Sequence, residues 1–274
     1  MHLDHTKLAS QLLQPVVAAG AAIMRHRRTG FAVESKADRS PVTAADREAE
    51  DIILDALERC EPGVPVIAEE AVSRGTCPSV GSSFFLVDPL DGTREFVAGG
   101  TDFTVNIALV IDRTPLFGIV YAPAHAQLFL TLAADKAGEL RFSPDADPAI
   151  LTRAEASPIG TRVSDPERLI AVTSRSHRTP EDDRFEADPR IASCRTVGSS
   201  LKFCLVARGD ADIYPRLAPT MEWDIAAGHA VLAAAGGAVT TPEGERIRYG
   251  KAEAGFRNGY FVAWGAAEPI PART

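Results

Sequence analysis

Four short stretches of this sequence place carboxylates where they could do chemistry. Val64-Pro65-Val66-Ile67-Ala68 runs directly into Glu69-Glu70, and Phe84-Phe85-Leu86-Val87 runs directly into Asp88-Pro89-Leu90-Asp91-Gly92-Thr93. In both, an apolar strand delivers an acid at its end, where ligand sites of α/β sheets lie. Pro89 keeps Asp88 extended and Gly92 permits a tight turn, so Asp88 and Asp91 are expected to point into one small volume. Carboxylates that close repel, and one must keep its proton unless cations sit among them. Oxygen donors without His or Cys suit hard Mg2+ or Mn2+ rather than zinc. Asp46, where a polar loop enters a helix, and Asp224, after Trp223 at the start of another, complete the set. Each has an ordinary reading when taken singly. Asp46, Thr93 and Asp224 could be helix caps, Glu69-Glu70 a solvated acidic pair, and Asp88-Pro89 a turn.

The surrounding pattern supplies elements to hold these groups. Leu8 to Met24 has helical apolar spacing around Pro15, and Ala45 to Glu61 reads as a second amphipathic helix ending before Pro62-Gly63. Strands are expected at Val64–Ala68, Phe84–Val87, Phe103–Ile111, Leu116–Tyr121 and Gln127–Leu132, the last three as an antiparallel meander. Ser143 to Pro166 is polar and lacks periodicity, and a boundary is expected near its start. Beyond it strands at Leu169–Thr173, Ala211–Tyr214 and Phe261–Trp264 alternate with helices at Ser199–Arg208 and Asp224–Ala235. The expectation is an α+β half over 1–145 with an antiparallel sheet and the metal site. An α/β half over 146–274 would contribute Asp224 and the substrate contacts.

Composition narrows the function classes. The 274 residues carry a formal net charge of -8, and no long Lys/Arg run is present. Nucleic acid, which is gripped through basic faces, is therefore not an expected partner. A small anionic substrate would need cations to offset the acids. Cys60, Cys77, Cys194 and Cys204 form no CxxC pair and read as free thiols of a reducing compartment. The N-terminal stretch has no uninterrupted apolar core, and no run reaches the roughly 18–20 residues that span a bilayer. A cytoplasmic location is the expectation.

Asp46, Glu69-Glu70, Asp88-Pro89-Leu90-Asp91-Gly92-Thr93 and Trp223-Asp224 followed by Ala226-Ala227-Gly228 together resemble the inositol monophosphatase superfamily of Mg2+-dependent, lithium-sensitive phosphatases. The resemblance implies a layered α-β-α-β-α sandwich. It also implies one metal on Glu69, Asp88 and the Leu90 carbonyl, a second on Asp88, Asp91 and Asp224, and a weaker third near Glu69. Mn2+ could substitute for Mg2+. Thr93 and Asp46 would then form the pair that orients and deprotonates the attacking water. A threonine hydroxyl suits this, since it can relay a hydrogen bond from water to a carboxylate.

Within the superfamily the likeness is to the 3'(2'),5'-bisphosphate nucleotidases of the bacterial CysQ type. It rests on Lys36-Ala37-Asp38, Ser40 to Asp46, Asp88 to Phe96, Thr104 to Leu109, Gly198 to Ala207 and Tyr214-Pro215-Arg216. The implied substrate is adenosine 3',5'-bisphosphate, a by-product of sulfate assimilation, and some such relatives associate peripherally with the inner membrane. Lys202, one turn into its helix, and Arg216, after Pro215, are candidates to pair with the phosphate that is not cleaved. His177 is a candidate nucleotide contact. Backbone N–H groups at Gly92-Thr93 and Gly198-Ser199 are candidate phosphate cradles. Arg175 and Arg178 read as solvated surface charges, Thr104 and Asn106 as sheet support, Cys204 and His229 as packing, and Trp223 as core or a lid. The alternatives are an inositol or fructose-bisphosphate phosphatase, which the acidic motif alone does not separate, and an inactive regulatory protein, against which the complete acid set argues.

Overall fold

The computed structural model of the protein describes residues 3–35, 41–142, 156–176 and 179–265. The boundary expected near 145, the loop over 36–40, and His177 and Arg178 lie outside them. The chain opens with α1 (His5–Thr29), the hairpin strands β1 (Val33–Ser35) and β2 (Pro41–Thr43), and α2 (Ala44–Cys60). Strand β3 (Val66–Ala68), the short α3 (Glu69–Ser73), β4 (Ser83–Asp91) and α4 (Thr93–Val97) follow. A meander of β5 (Thr104–Ile111), β6 (Thr114–Ala122), β7 (Gln127–Ala133) and β8 (Lys136–Arg141) leads to β9 (Ser157–Ile159). Next come β10 (Leu169–Ser174), α5 (Pro180–Glu186), β11 (Ile191–Val197), α6 (Leu201–Ala207), β12 (Ile213–Arg216), β13 (Thr220–Met221) and α7 (Glu222–Ala234). The described chain closes with β14 (Ala238–Thr240), β15 (Arg257–Asn258) and β16 (Phe261–Trp264).

Strands β3 to β9 form one seven-stranded sheet in sequence order, antiparallel except for the parallel β3/β4 pair. Side chains alternate across a strand, so each strand feeds two layers. Phe85, Val87, Ile107, Leu109 and Ile119 pack with Leu12, Val16, Ile53 and Leu57 of α1 and α2. Phe84, Leu86, Ala108, Val110 and Val120 pack on the opposite side with Phe203 of α6 and Ile225, Ala226 and Val231 of α7. The same central layer covers Val172, Tyr214, Val239 and Phe261 of a second sheet, ordered β11-β10-β12-β16-β14. The outer face of that sheet, at Leu169, Ala171 and Ile213, meets Phe185 of α5. The layers therefore run α-β-α-β-α. Helix α7 is buried almost all round because it lies between two sheets. Among the described residues no helix is long and apolar enough to cross a membrane.

Several elements differ from the sequence expectations. The helix expected from Ser199 begins at Leu201, and α1 runs to Thr29. Strand β9 lies in the stretch read as lacking periodicity. It pairs with β8 through Ala137↔Ile159 and so belongs to the large sheet. Strand β11 carries no apolar alternation because five of its seven residues are exposed at a sheet edge. All four cysteines are free.

Candidate active site

The large sheet gives up its regular ladder where the acids begin. Strand β4 pairs with β5 up to Asp88↔Asn106, then resumes at Asp91↔Thr104 after a shift in register. Pro89 has no N–H to give the ladder, so the chain bulges there. The Asp88 carboxylate folds back to accept the Leu90 N–H at 2.9 Å. Gly92 follows with φ 89°, and a Cβ there would stand 2.8 Å from the Asp102 carbonyl oxygen, so a side chain is excluded twice over. The turn delivers Thr93 into α4 and leaves Glu69, Asp88, Leu90, Asp91 and Thr93 lining one pocket of about 500 Å3 with Asp224.

Asp46 works at two places. Its Oδ2 accepts the Thr43 backbone N–H and hydroxyl, both at 2.7 Å, as the reciprocal half of a capping box on α2. Its Oδ1 accepts a hydrogen bond from the Thr93 hydroxyl at 3.1 Å. Thr93 Oγ also lies 2.9 Å from the Leu90 carbonyl, so its single proton is shared between two acceptors. Burial raises the Asp46 carboxyl to about 6. Asp224 likewise sits in a first helical turn, and its Oδ2 accepts the Met221 N–H at 2.9 Å.

Asp88, Asp91 and Asp224 stand in one another's fields. Burial first, then the charges of Glu69, Asp91 and Asp224, hold Asp88 well above the usual carboxylate range. Burial followed by Asp91 and Glu69 does the same to Asp224. Asp91 rises to about 6 through burial, partly offset by the Lys202 charge and by the Ser200 N–H, which donates to Asp91 Oδ2.

Cations line the same pocket. Lys202 reaches back along its helix, and Nζ donates to the Ser199 and Val197 carbonyls at 2.6 and 3.2 Å. Burial lowers its ammonium to about 8. Arg216 donates Nη1 to Ser174 Oγ at 2.8 Å, and its Nε is buried without a hydrogen-bond partner among the described residues. Ser199 takes a left-handed φ of 52°, and its carbonyl receives Lys202. One backbone donor considered for phosphate is already committed, the Gly198 N–H to Asp102, and the neighbouring Ser200 N–H is committed to Asp91.

The model of the inositol monophosphatase family matches residues 4–267. The chain belongs to the inositol monophosphatase family. The 3'(2'),5'-bisphosphate nucleotidase CysQ of Escherichia coli K12 is 38% identical over 258 residues, covering 93% of this chain and 99% of that protein. The crystal structure of CysQ from Bacteroides thetaiotaomicron superposes with a TM-score of 0.78 at 34% identity, over 98% of this chain and 100% of that one. An IMPase from Thermotoga maritima gives a TM-score of 0.73 at 25% identity, over 93% and 91% of the two chains. Like its relatives, this family member is a phosphoric monoester hydrolase with the layered sandwich of the inositol monophosphatases.

The donor chemistry of the site fits a hard divalent cation. Every candidate ligand is an oxygen: the carboxylates of Glu69, Asp88, Asp91 and Asp224 and the Leu90 carbonyl, which here accepts from Thr93. Asp88 is buried, and Asp91 and Asp224 are half-buried beside it. The charges of Glu69, Asp91 and Asp224 raise the proton affinity of Asp88, and those of Asp91 and Glu69 raise that of Asp224, a repulsion that a cation among them relieves. Among the described residues no group of three or more His, Cys, Asp or Glu side chains is drawn together closely enough to hold a metal ion as it stands. The acids line a shared pocket instead.

Four residues of this family member's site escaped the sequence reading. Arg175, read as a solvated charge, is half-exposed but lines the pocket and pairs with buried Asp102 at 2.9 Å. Its position directly after strand β10, where α/β ligand sites gather, was the available signal. Glu95 also lines the pocket and accepts a hydrogen bond from Ser176. Asn106, read as sheet support, accepts from Ser200 Oγ at 2.6 Å and so holds the residue whose N–H meets Asp91. Glu50, fully buried, accepts the Glu70 N–H at 2.8 Å and pins the turn that presents Glu69. The partners of the last two come from distant segments, which spacing does not reveal.

Proposed function

We propose that the protein is a Mg2+-dependent 3'(2'),5'-bisphosphate nucleotidase that hydrolyses adenosine 3',5'-bisphosphate to AMP and phosphate. The observation that carries this reading is the mixed charge of the pocket. Glu69, Asp88, Asp91 and Asp224 share the lining of one 500 Å3 space with Arg94, Arg175, Lys202, Arg216 and Arg257. A substrate with one phosphate needs only the acidic residues and their cations. A second phosphate gives the basic residues something to bind. The names of the relatives at 34–38% identity support the same substrate.

Divalent cations held by Glu69, Asp88, the Leu90 carbonyl, Asp91 and Asp224 would supply Lewis acidity to the phosphoryl oxygens and make water acidic enough to attack. The protein's own residues do the rest. Thr93 Oγ orients the attacking water, and Asp46 Oδ1, already in contact with that hydroxyl, takes up the proton released as the water oxygen bonds to phosphorus. The P–O bond to the ribose 3'-oxygen breaks, and that oxygen leaves with a proton from solvent. The backbone at Gly92-Thr93 and Ser199 lines the pocket, where it would border the phosphate. Lys202 and Arg216 keep the pocket positive towards the nucleotide's remaining phosphate. His177 is the proposed base or ribose contact.

Phosphate release from a substrate panel tests this. Adenosine 3',5'-bisphosphate should be turned over at least about tenfold more efficiently than inositol 1-phosphate, a difference of about 1.4 kcal/mol in transition-state binding. EDTA should abolish the reaction and added Mg2+ restore it. Equal or reversed rates would end the nucleotide assignment, and activity that survives chelation would end the cation assignment.

A further inference from the structure

We propose that Arg175 distinguishes a doubly phosphorylated substrate from a singly phosphorylated one by pairing with the phosphate that is not cleaved. The proposal rests on the nucleotide reading above and names the residue that enforces it.

The guanidinium is held in place before any substrate arrives. Nη1 pairs with Asp102 Oδ2 at 2.9 Å, and Nη2 donates to the Thr196 carbonyl at 3.3 Å. Asp102 is a firm anchor. It is 6% exposed and collects three donors from separate segments: His125 Nε2 at 3.0 Å, the Gly198 N–H at 3.1 Å, and Arg175. The His125 hydrogen bond, then the Gly198 N–H and the Arg175 charge, bring its carboxyl down to about 2, so it remains ionised. Gly198 is itself built into this anchor, since a Cβ there would lie 2.7 Å from the Asp102 carbonyl oxygen. The next residue, Ser176, is tied to Glu95 by its hydroxyl. Both ends of the Arg175-Ser176 step are thereby fastened to the α4–β5 segment beside the acidic corner.

An arginine has five N–H donors in a rigid fork, and the contacts to Asp102 and Thr196 engage two of them. Its side chain remains 49% exposed where it lines the pocket. Asp102 does not cancel it, because that carboxylate also serves His125 and Gly198. The other two cations named from the sequence are placed differently. The Lys202 ammonium is 4% exposed and turned onto two carbonyls, and Arg216 is 9% exposed behind Ser174. They set the sign of the potential, whereas Arg175 presents an immobilised fork at the surface of the cavity. Immobilisation lowers the entropic cost of a bidentate phosphate contact.

The test compares two substrates that differ only in the phosphate at issue, adenosine 3',5'-bisphosphate and adenosine 3'-monophosphate. In Arg175→Ala the ratio of their kcat/KM values should fall about 10- to 100-fold, the loss of a charged hydrogen-bonded pair, through KM of the bisphosphate rather than kcat. Inhibition by AMP should weaken by a similar factor, and inhibition by adenosine should not. Arg175→Lys, which keeps the charge without the fork, should recover only part of the ratio. Asp102→Asn should move it in the same direction through KM, as expected for a positioning residue. If Arg175→Ala, folded by circular dichroism, leaves the ratio unchanged or loses both substrates equally, Arg175 does not read the second phosphate. If the wild type itself shows no preference for the bisphosphate, the nucleotide reading falls first and this proposal with it.

Discussion

The hydroxyl of Thr93 donates to Asp46 across 47 residues of chain, at 3.1 Å, joining the first turn of α2 to the first residue of α4. The other Asp46 oxygen is already bound by Thr43, so only Oδ1 faces Thr93. The structural and the chemical uses of one carboxylate are thereby assigned to different atoms.

That division makes the pair separable by mutation. Thr93→Val, which preserves shape, should lower kcat about 10²- to 10⁴-fold with little change in melting temperature. Thr93→Ser should keep most of the rate. Asp46→Asn should lose a similar factor in kcat and, by weakening the capping box, about 1 kcal/mol of stability as well. Steady-state kinetics beside thermal melts decide the matter. A Thr93→Val enzyme with near-normal kcat would take the hydroxyl out of the proton path.

Asp91 links the acid cluster to stability. Its folded carboxyl, at about 6, is raised above its ordinary 3.8. The protonated form therefore suits the metal-free fold, and the contribution is fully present below pH 3.8 and lost as pH rises through 6. In chelator-treated protein Asp91→Asn, uncharged at every pH, should be more stable than wild type at pH 8 by roughly 1–3 kcal/mol, and the advantage should vanish near pH 4. Its turnover should be almost nil. Denaturant titrations at several pH values give the answer, and a variant less stable than wild type at pH 8 would contradict the cost of ionising Asp91 in its desolvated site.

His229 gives the opposite slope. It is half-buried against Tyr249, with Nδ1 2.8 Å from the phenol oxygen, and desolvation lowers its imidazole to about 4. Below the ordinary value of 6.5 the unfolded chain takes up a proton that the folded protein refuses until about 4. Stability from this group is full above 6.5 and is lost as pH falls towards 4. Between pH 7 and 5 the loss should be roughly 2 kcal/mol. His229→Gln should remove that increment, read as the change in wild-type minus variant stability between the two pH values. An unchanged difference would mean that the imidazole is protonated in the folded protein.

What could be read in advance follows from how local each signal is. Strand β4 running into Asp88, and the sequence around Trp223-Asp224, are contiguous, so strand ends and helix starts placed these acids without tertiary information. The layered order came from the family resemblance, whereas the pattern alone gave an α+β half beside an α/β half. Phe84/Phe85 and Leu86/Val87, apolar on both faces, agree with a sheet buried between helical layers. The position of Arg175 after β10 was legible, but its ion pair was not, because only the fold brings Asp102 from the α4–β5 loop beside it. The exposed edge strand β11 and the three-residue β9 lacked alternation, being held by backbone pairing to β10 and β8. His177 lies outside the described residues, and its role stays a proposal.

The position of Asp224 depends on how closely α7 can approach the sheet, and one glycine controls that approach. A Cβ at Gly118 on β6 would stand 2.3 Å from the Ala227 carbonyl oxygen on α7, with backbone on both sides and no flexible side chain to yield. Gly118→Ala should therefore push the helix outward and cost about 1–3 kcal/mol. Because Asp224 is the third residue of α7, kcat should fall several-fold even at temperatures where the variant is fully folded. Gly81→Ala is the control, since nothing lies nearer than 3.8 Å to its added methyl, and its stability should stay within about 0.5 kcal/mol of wild type. Thermal melts and kinetics on both variants separate two possibilities. If Gly118→Ala loses stability but keeps its full kcat, the seat of α7 on β6 does not set the geometry of the acid cluster, and Asp224 must be positioned by its hydrogen bond to Met221 alone.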